Sequence, residues 1–274
     1  MQVANAASPA PAHDAPLKHA ERVLEVRGLR KEFNGFVAVA DVDLDVRAGS
    51  IHALIGPNGA GKTTVFNLLT RFLSLTAGRI RFAGDDISGE TPAALARRGI
   101  VRSFQISAIF PHLSVRENIR IALQQRLVSP LRFWGGSDKV RELEPRIDEV
   151  LTQFELQGVA GRRAGELAYG QKRTLELATT VATDPRLMLL DEPTQGLAHE
   201  DVDRITDLIK RVAEGRTVLM VEHNMRMVAR IADCISVLRR GEKIAEGSYD
   251  EVSRDPQVIE AYLGSQARQR GKRA

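Results

Sequence analysis

The nine residues Gly56-Pro57-Asn58-Gly59-Ala60-Gly61-Lys62-Thr63-Thr64 have the types and spacing needed to hold a phosphate group. The glycines let backbone N–H groups turn inward around phosphate oxygens without side-chain obstruction, and a helix starting at Lys62 would aim its positive end at the same point. Lys62 is placed to reach the β- and γ-phosphates of a nucleotide, and the Thr63 hydroxyl to ligate Mg²⁺. A second chemical pair, Asp191-Glu192, closes the apolar run Leu187-Met188-Leu189-Leu190. Strand ends are where ligands bind in open α/β sheets. There Asp191 is suited to hold Mg²⁺ through water, and Glu192 to polarise the water that attacks the γ-phosphate. Two further polar groups follow strand-like runs: Gln105 after Arg102-Ser103-Phe104, and His223 after Val221-Glu222.

These groups need elements to position them. Val23-Leu24-Glu25-Val26 and Val42-Asp43-Leu44-Asp45-Val46 alternate apolar and polar residues, which predicts half-buried strands. Ile51-His52-Ala53-Leu54-Ile55 predicts a strand buried on both faces, leading into the glycine-rich loop and a helix carrying Val65, Phe66, Leu68 and Leu69. Arg79 to Phe82 alternates again, and Thr91-Pro92 opens a short helix over Ala93 to Arg98 that stops at Gly99. From Ser114 to Tyr169 the texture becomes helical and charged. Ser114-Val115-Arg116-Glu117 is a capping box opening a helix to about Arg126, and a loop covers Leu127 to Asp138. Val140, Leu143, Ile147, Val150, Leu151 and Phe154 share one helical face around an internal Pro145. The continuous apolar runs Leu187 to Leu190 and Thr217 to Val221 then predict parallel central strands with crossover helices, and Cys234 to Leu238 with Lys243 to Ala245 complete the sheet. The fold class is α/β, with a helical insertion in a nucleotide-binding core and no internal repeat.

Composition is that of an ordinary globular α/β protein of 274 residues, 43% hydrophobic and 27% charged, and no apolar run approaches the ~20 residues that cross a bilayer. Met1 to Ala20, rich in Ala and Pro, reads as a disordered tail without the apolar block of a secretion signal. Cys234 is alone, so no internal disulfide can form, and its neighbours place it on a core strand in a reducing compartment. Net charge is only +4, part of it in the tail residues Arg268, Arg270, Lys272 and Arg273. A basic end of this kind is ordinarily solvated, and no nucleic-acid partner is expected.

Taken in order, the motifs resemble the ATP-binding cassette family of transport ATPases. Leu167-Ala168-Tyr169-Gly170-Gln171 aligns with the family's signature motif and precedes Asp191 by the usual interval, and the resemblance covers nearly all of Val23 to Gly247. It implies a P-loop NTPase (RecA-like) core with an antiparallel β subdomain and an inserted α-helical subdomain. The division expected is a tail over 1–20, core with β subdomain over 21–105, helical subdomain over 106–168, core again over 169–247, and a C-terminal helix and basic tail over 248–274. The resemblance implies ATP and Mg²⁺ as ligands. It makes Phe33 the aromatic platform for adenine, Gln105 a Mg²⁺ ligand coupled to the membrane partner, Glu192 the general base and His223 the switch histidine. Because the family's cassettes pair head to tail, Tyr169, Gly170 and Gln171 would contact ATP held by the other subunit.

Two segments depart from the family pattern, the signature motif and the loop after Glu192. Ala168 and Tyr169 stand where Ser and Gly are usual, and Ala198 stands where Asp is common. The Leu-Ala-Tyr-Gly form, with the tail Asp255-Pro256-Gln257-Val258-Ile259-Glu260-Ala261-Tyr262-Leu263-Gly264, resembles the ATP-binding subunits of branched-chain amino acid importers and their urea and amide relatives. The resemblance implies two transmembrane permease subunits, a second cassette, identical or homologous, an indirectly linked periplasmic binding protein, and a peripheral place on the cytoplasmic face of the inner membrane. A soluble cassette of a ribosomal or cytosolic assembly machine, and an exporter or lipid-transport ATPase, share the catalytic motifs and stay open as alternatives.

Overall fold

The alternating N-terminal runs form β1 (Arg22–Phe33) and β2 (Phe36–Arg47), an antiparallel hairpin closed at Phe33 opposite Phe36. With β4 (Ala77–Phe82) and β5 (Asp85–Asp86) they make a four-stranded sheet in the order β2-β1-β4-β5. The second sheet has six strands in the order β10-β9-β3-β8-β7-β6. Its central members are β3 (Ile51–Ile55), β7 (Leu187–Asp191) and β8 (Thr217–Val221), flanked by β6 (Ile100–Ser103), β9 (Cys234–Arg239) and β10 (Glu242–Gly247). All neighbours pair in parallel except the β9/β10 hairpin. The computed structural model describes residues 22–103, 109–127 and 143–262. The expected N-terminal tail, Phe104 and Gln105, most of the loop before Asp138, the start of the helical run near Val140, and the chain end from Leu263 with its basic residues lie outside them.

Continuous apolar strands are explained by the two cores they separate. Ile51, Ala53, Met188, Leu190, Val218, Met220, Ile235 and Val237 point to one face, and Leu54, Leu187, Leu189, Leu219, Val221 and Leu238 to the other. The second face is covered by the antiparallel sheet and by α1 (Lys62–Leu69), whose Val65, Phe66, Leu68 and Leu69 are buried there. Each such side chain contributes roughly 1.5–3 kcal/mol on burial. The core on the first face takes in side chains of α3 (Val115–Leu127), α4 (Glu144–Gln153), α5 (Tyr169–Ala182), α6 (His199–Val212) and α7 (Met225–Ile231), with α3 and α4 packed on each other and on α5, and Val252 and Val258 join it from the C-terminal segment. Two short helices, α2 (Pro92–Arg97) and α8 (Tyr249–Arg254), complete the set named here.

The capping signals read from sequence hold. Thr91 accepts from the Ala94 amide, and Ser114 and Glu117 exchange the two bonds of a capping box. Pro145, read as internal to a helix, instead sits in the first turn of α4, where its missing N–H costs nothing. Cys234 lies at the start of β9 and is only partly buried, because the apolar pattern of that strand begins one residue later. Among the described residues no helix is long and apolar enough to cross a membrane.

One buried polar group carries a pH consequence. His52, 1% exposed on β3, bonds through Nε2 to Ser236 Oγ at 2.9 Å, and that hydroxyl donates to Glu246. Burial lowers its pKa to about 4, against a partial opposing pull from Glu246. The unfolded chain therefore takes up the proton first. Stability from this site is complete above the ordinary histidine value near 6.5 and is lost as pH falls toward 4, by about 3 kcal/mol in all. Thermal denaturation of wild type and His52→Gln across this window checks it: the variant is expected to show the shallower acid limb.

Candidate functional site

The turn from β3 into α1 requires glycine at two positions. Gly56 has φ +149°, and a Cβ there would lie 2.2 Å from the Leu238 carbonyl oxygen; Gly61 has φ +102°, and a Cβ there would lie 2.8 Å from the Ala38 oxygen. The loop is thus packed between the β9/β10 turn and β2, and the Gly241 N–H donates to the Ala60 oxygen at 2.9 Å. Within the loop the Lys62 ammonium donates to the carbonyls of Gly56 (2.7 Å) and Pro57 (3.1 Å), so the chain curls around its own cation. Burial lowers the Lys62 pKa, opposed by the Glu192 and Asp191 carboxylates that share its surroundings. Thr63, Asn58 and Gly59 face outward at the mouth of this loop.

Strand β7 carries Asp191 to the same edge. Its Oδ2 accepts from Arg102 Nη2 at 2.5 Å; Asp191 is buried and Arg102 largely so. Arg102, at the end of β6, also donates to Asn67 Oδ1 at 2.7 Å and lies 5.7 Å from the Phe66 ring centroid, which ties α1 to the strand ends. Glu192 follows with φ +46°, a left-handed backbone that a non-glycine residue keeps only where the surroundings enforce it. Its amide donates to the Val221 oxygen of β8 and its carbonyl closes the turn to Gln195. His223, exposed at the end of β8, places Nδ1 3.9 Å from Glu192 Oε2 and 3.8 Å from Glu222 Oε2.

The structure therefore gathers Lys62, Asp191, Glu192 and His223 around one sheet edge, as the spacing predicts. Phe33 is 41% exposed at the hairpin end, with the Lys31 ammonium 4.9 Å above its ring. Gln105 lies outside the described residues. Two groups in this site received no role from sequence reading: Arg102, packed against Asp191, and Glu222, buried behind His223. The available signal was a charge at the end of each strand-like run, which reading by motif passes over.

The two departures at Ala168 and Ala198 fall on helix N-caps. Both are extended residues without a side-chain acceptor, at the starts of α5 and α6, where Ser or Asp would cap. In α5 the Gln171 side chain accepts from the Ala168 amide at 3.2 Å, and in α6 Glu200 and Asp201 supply first-turn negative charge. Tyr169 fills the departure beside Ala168 with a contact: its hydroxyl donates to the Gln195 carbonyl at 3.0 Å and its ring lies 5.7 Å from the Arg173 guanidinium. This joins the start of α5 to the loop after Glu192. Tyr169→Phe is expected to change global stability by less than about 1 kcal/mol, since the bond is exposed. Amide hydrogen exchange over residues 193–197 is expected to accelerate, read by mass spectrometry.

Residues 39–195, more than half of the chain, match the family model described as ABC transporter. The chain is an ATP-binding cassette. Residues 242–268 match a second model, described as branched-chain amino acid ATP-binding cassette transporter. The high-affinity branched-chain amino acid transport ATP-binding protein BraF of Pseudomonas aeruginosa is 40% identical over 251 residues, covering 88% of this chain and 98% of that protein. LivG of Escherichia coli, named for the same transport, is 38% identical over the same shares. The solved ADP conformation of MJ1267, a cassette of an ABC transporter, is 32% identical with a TM-score of 0.77 over 89% of this chain and all of that one. A nucleotide-free cassette gives 31% and 0.75. The cassette is thus an ATP-hydrolysing enzyme with the P-loop NTPase fold.

The Mg²⁺ expected beside ATP fits the residues present. Among the described residues no cluster of three His, Cys, Asp or Glu side chains forms a protein cage. One hydroxyl and one carboxylate, with phosphates and water completing the set, is the way this small hard cation is commonly held.

Proposed function

We propose that this cassette is the ATPase subunit of a branched-chain amino acid importer, working on the cytoplasmic face of the inner membrane with two permease subunits and a second cassette. The observation that carries the solute class is the match of residues 242–268 to the branched-chain family model, since no catalytic need dictates that segment. The division of the chain into tail, core with β subdomain, helical subdomain over 106–168 and C-terminal segment belongs to the same reading, with the permease docking on the helical part.

In this reading Phe33 stacks on adenine and the amides of Gly56 to Thr64 hold the phosphates. Lys62 exchanges its loop carbonyls for phosphate oxygens. Thr63, Asp191 and Gln105 hold Mg²⁺, which offsets charge on the β- and γ-phosphates. Glu192 takes a proton from the attacking water, and His223 holds the γ-phosphate edge. Tyr169, Gly170 and Gln171 present the uncapped start of α5 to ATP bound by the facing cassette. Bonds between Leu113 and Ala164, and between Pro111 and Gly165, link the segment after Gln105 to the segment before Leu167, which supports a route from the permease to the signature motif.

The test is to tag the Glu192→Gln form in its native cell, purify it from detergent-solubilised membranes with ATP present, and identify what accompanies it. Two multi-span permeases and a second cassette are the expected result, with leucine, isoleucine and valine then tested as solutes. Ribosomal or cytosolic partners, with none from the membrane, would overturn it.

A further inference from the structure

Glu222 has no exposed surface, yet it carries a carboxylate next to the proposed catalytic edge. Oε1 accepts from the Thr194 amide at 3.0 Å and from the Thr194 hydroxyl at 2.5 Å. Oε2 accepts from the amides of His223 at 2.7 Å and Asn224 at 2.9 Å. Only an ionised carboxylate offers two oxygens that both accept and never donate, so four converging donors select Glu over Gln or an apolar residue. Among the described residues the basic group within 4 Å is His223 itself, with Nδ1 at 3.8 Å. The buried charge is therefore satisfied by fixed donors.

The donors come from two separate loops. Asp191 and Val221 are register partners at the ends of β7 and β8, and beyond them the Glu192 amide makes a last ladder-like bond to the Val221 oxygen. Past that point no strand pairing sets the spacing between the Glu192 turn and the His223 turn. Glu222 supplies the missing cross-link: it grips Thr194, two residues after Glu192, with one oxygen and the backbone at His223 with the other.

We propose that Glu222 is a positioning residue for ATP hydrolysis, an anionic clamp that fixes the Glu192 turn relative to His223. This rests on the reading of Glu192 as the base and His223 as the γ-phosphate contact. Glu222→Gln keeps the shape but turns one oxygen into a donor facing donors, whichever way the amide lies. In the full-length chain, alone and with its recovered membrane partners, kcat is expected to fall roughly 10- to 10²-fold, the scale of a misplacement near 1 Å. ATP affinity, read by fluorescent-nucleotide titration, is expected to stay within about twofold, because Glu222 touches none of the phosphate loop. In the Glu192→Gln background the same substitution is expected to add almost nothing, since it acts through that residue.

Thr194→Val, which removes a single donor at constant shape, is the milder variant should Glu222→Gln fail to fold, and a severalfold kcat loss at unchanged affinity is expected. A Glu222→Gln enzyme with wild-type kcat overturns the proposal, as does a parallel loss of affinity and turnover, which marks general support of the fold. If Glu192→Gln alone turns over at the wild-type rate, the failure lies in the reading of the base.

Discussion

Glu192→Gln is expected to lower ATP turnover by about 10²-fold or more while leaving nucleotide binding intact. Gln matches Glu in size and can still accept a hydrogen bond, so the left-handed turn that begins at this residue and the bond from its amide to Val221 are retained. What disappears is the capacity to take a proton from water. The carboxylate is 19% exposed, close enough to solvent to meet a water and close enough to the Lys62 loop to feel its charge. Phosphate release at saturating ATP and nucleotide titration on the same preparation separate the two quantities. Turnover within a few fold of wild type would reassign the base.

The second large effect concerns stability. Arg102→Met removes the guanidinium from a buried Asp191 and leaves a carboxylate without its partner, and 3–5 kcal/mol of destabilisation is expected, on the order measured when one member of a buried pair is deleted. The bond to Asn67 and the contact with the Phe66 ring go with it, so α1 loosens from the strand ends. Chemical denaturation of the ligand-free chain measures the loss. Arg102→Met with Asp191→Leu is expected to regain most of it, because the stranded charge, and not the missing contact area, dominates. Equal destabilisation of the single and double variants would show that packing of Arg102 is what matters.

That Lys62, Asp191, Glu192 and His223 sit at strand ends and helix starts was legible in the sequence because each of these placements is local. A loop that needs glycine where the backbone crowds Leu238 and Ala38, a lysine at the start of a helix, and acids at the end of an apolar strand are all written in contiguous residues, and contiguous residues share one piece of backbone. The same holds for the capping box at Ser114 and for the two-faced burial of β3, β7 and β8, where continuous apolar runs leave no side chain for solvent. Pro145 was misplaced for the opposite reason: the apolar face of α4 extends to Leu143, before the helix begins, so periodicity overran the boundary.

The contacts that hold those parts in register were decided by the tertiary structure alone. Arg102 reaches Asp191 across 89 positions, Thr194 reaches Glu222 across 28, and Tyr169 reaches Gln195 across 26. The first two depend on which strand lies beside which, and the third on where the start of α5 meets the loop after β7. The order β10-β9-β3-β8-β7-β6 brings the ends of β6, β7 and β8 together. Apolar runs of equal length satisfy many parallel orders equally well, since burial has no direction. Hydrogen bonds between buried charges do have direction, and their partners exist only once the sheet order has been chosen.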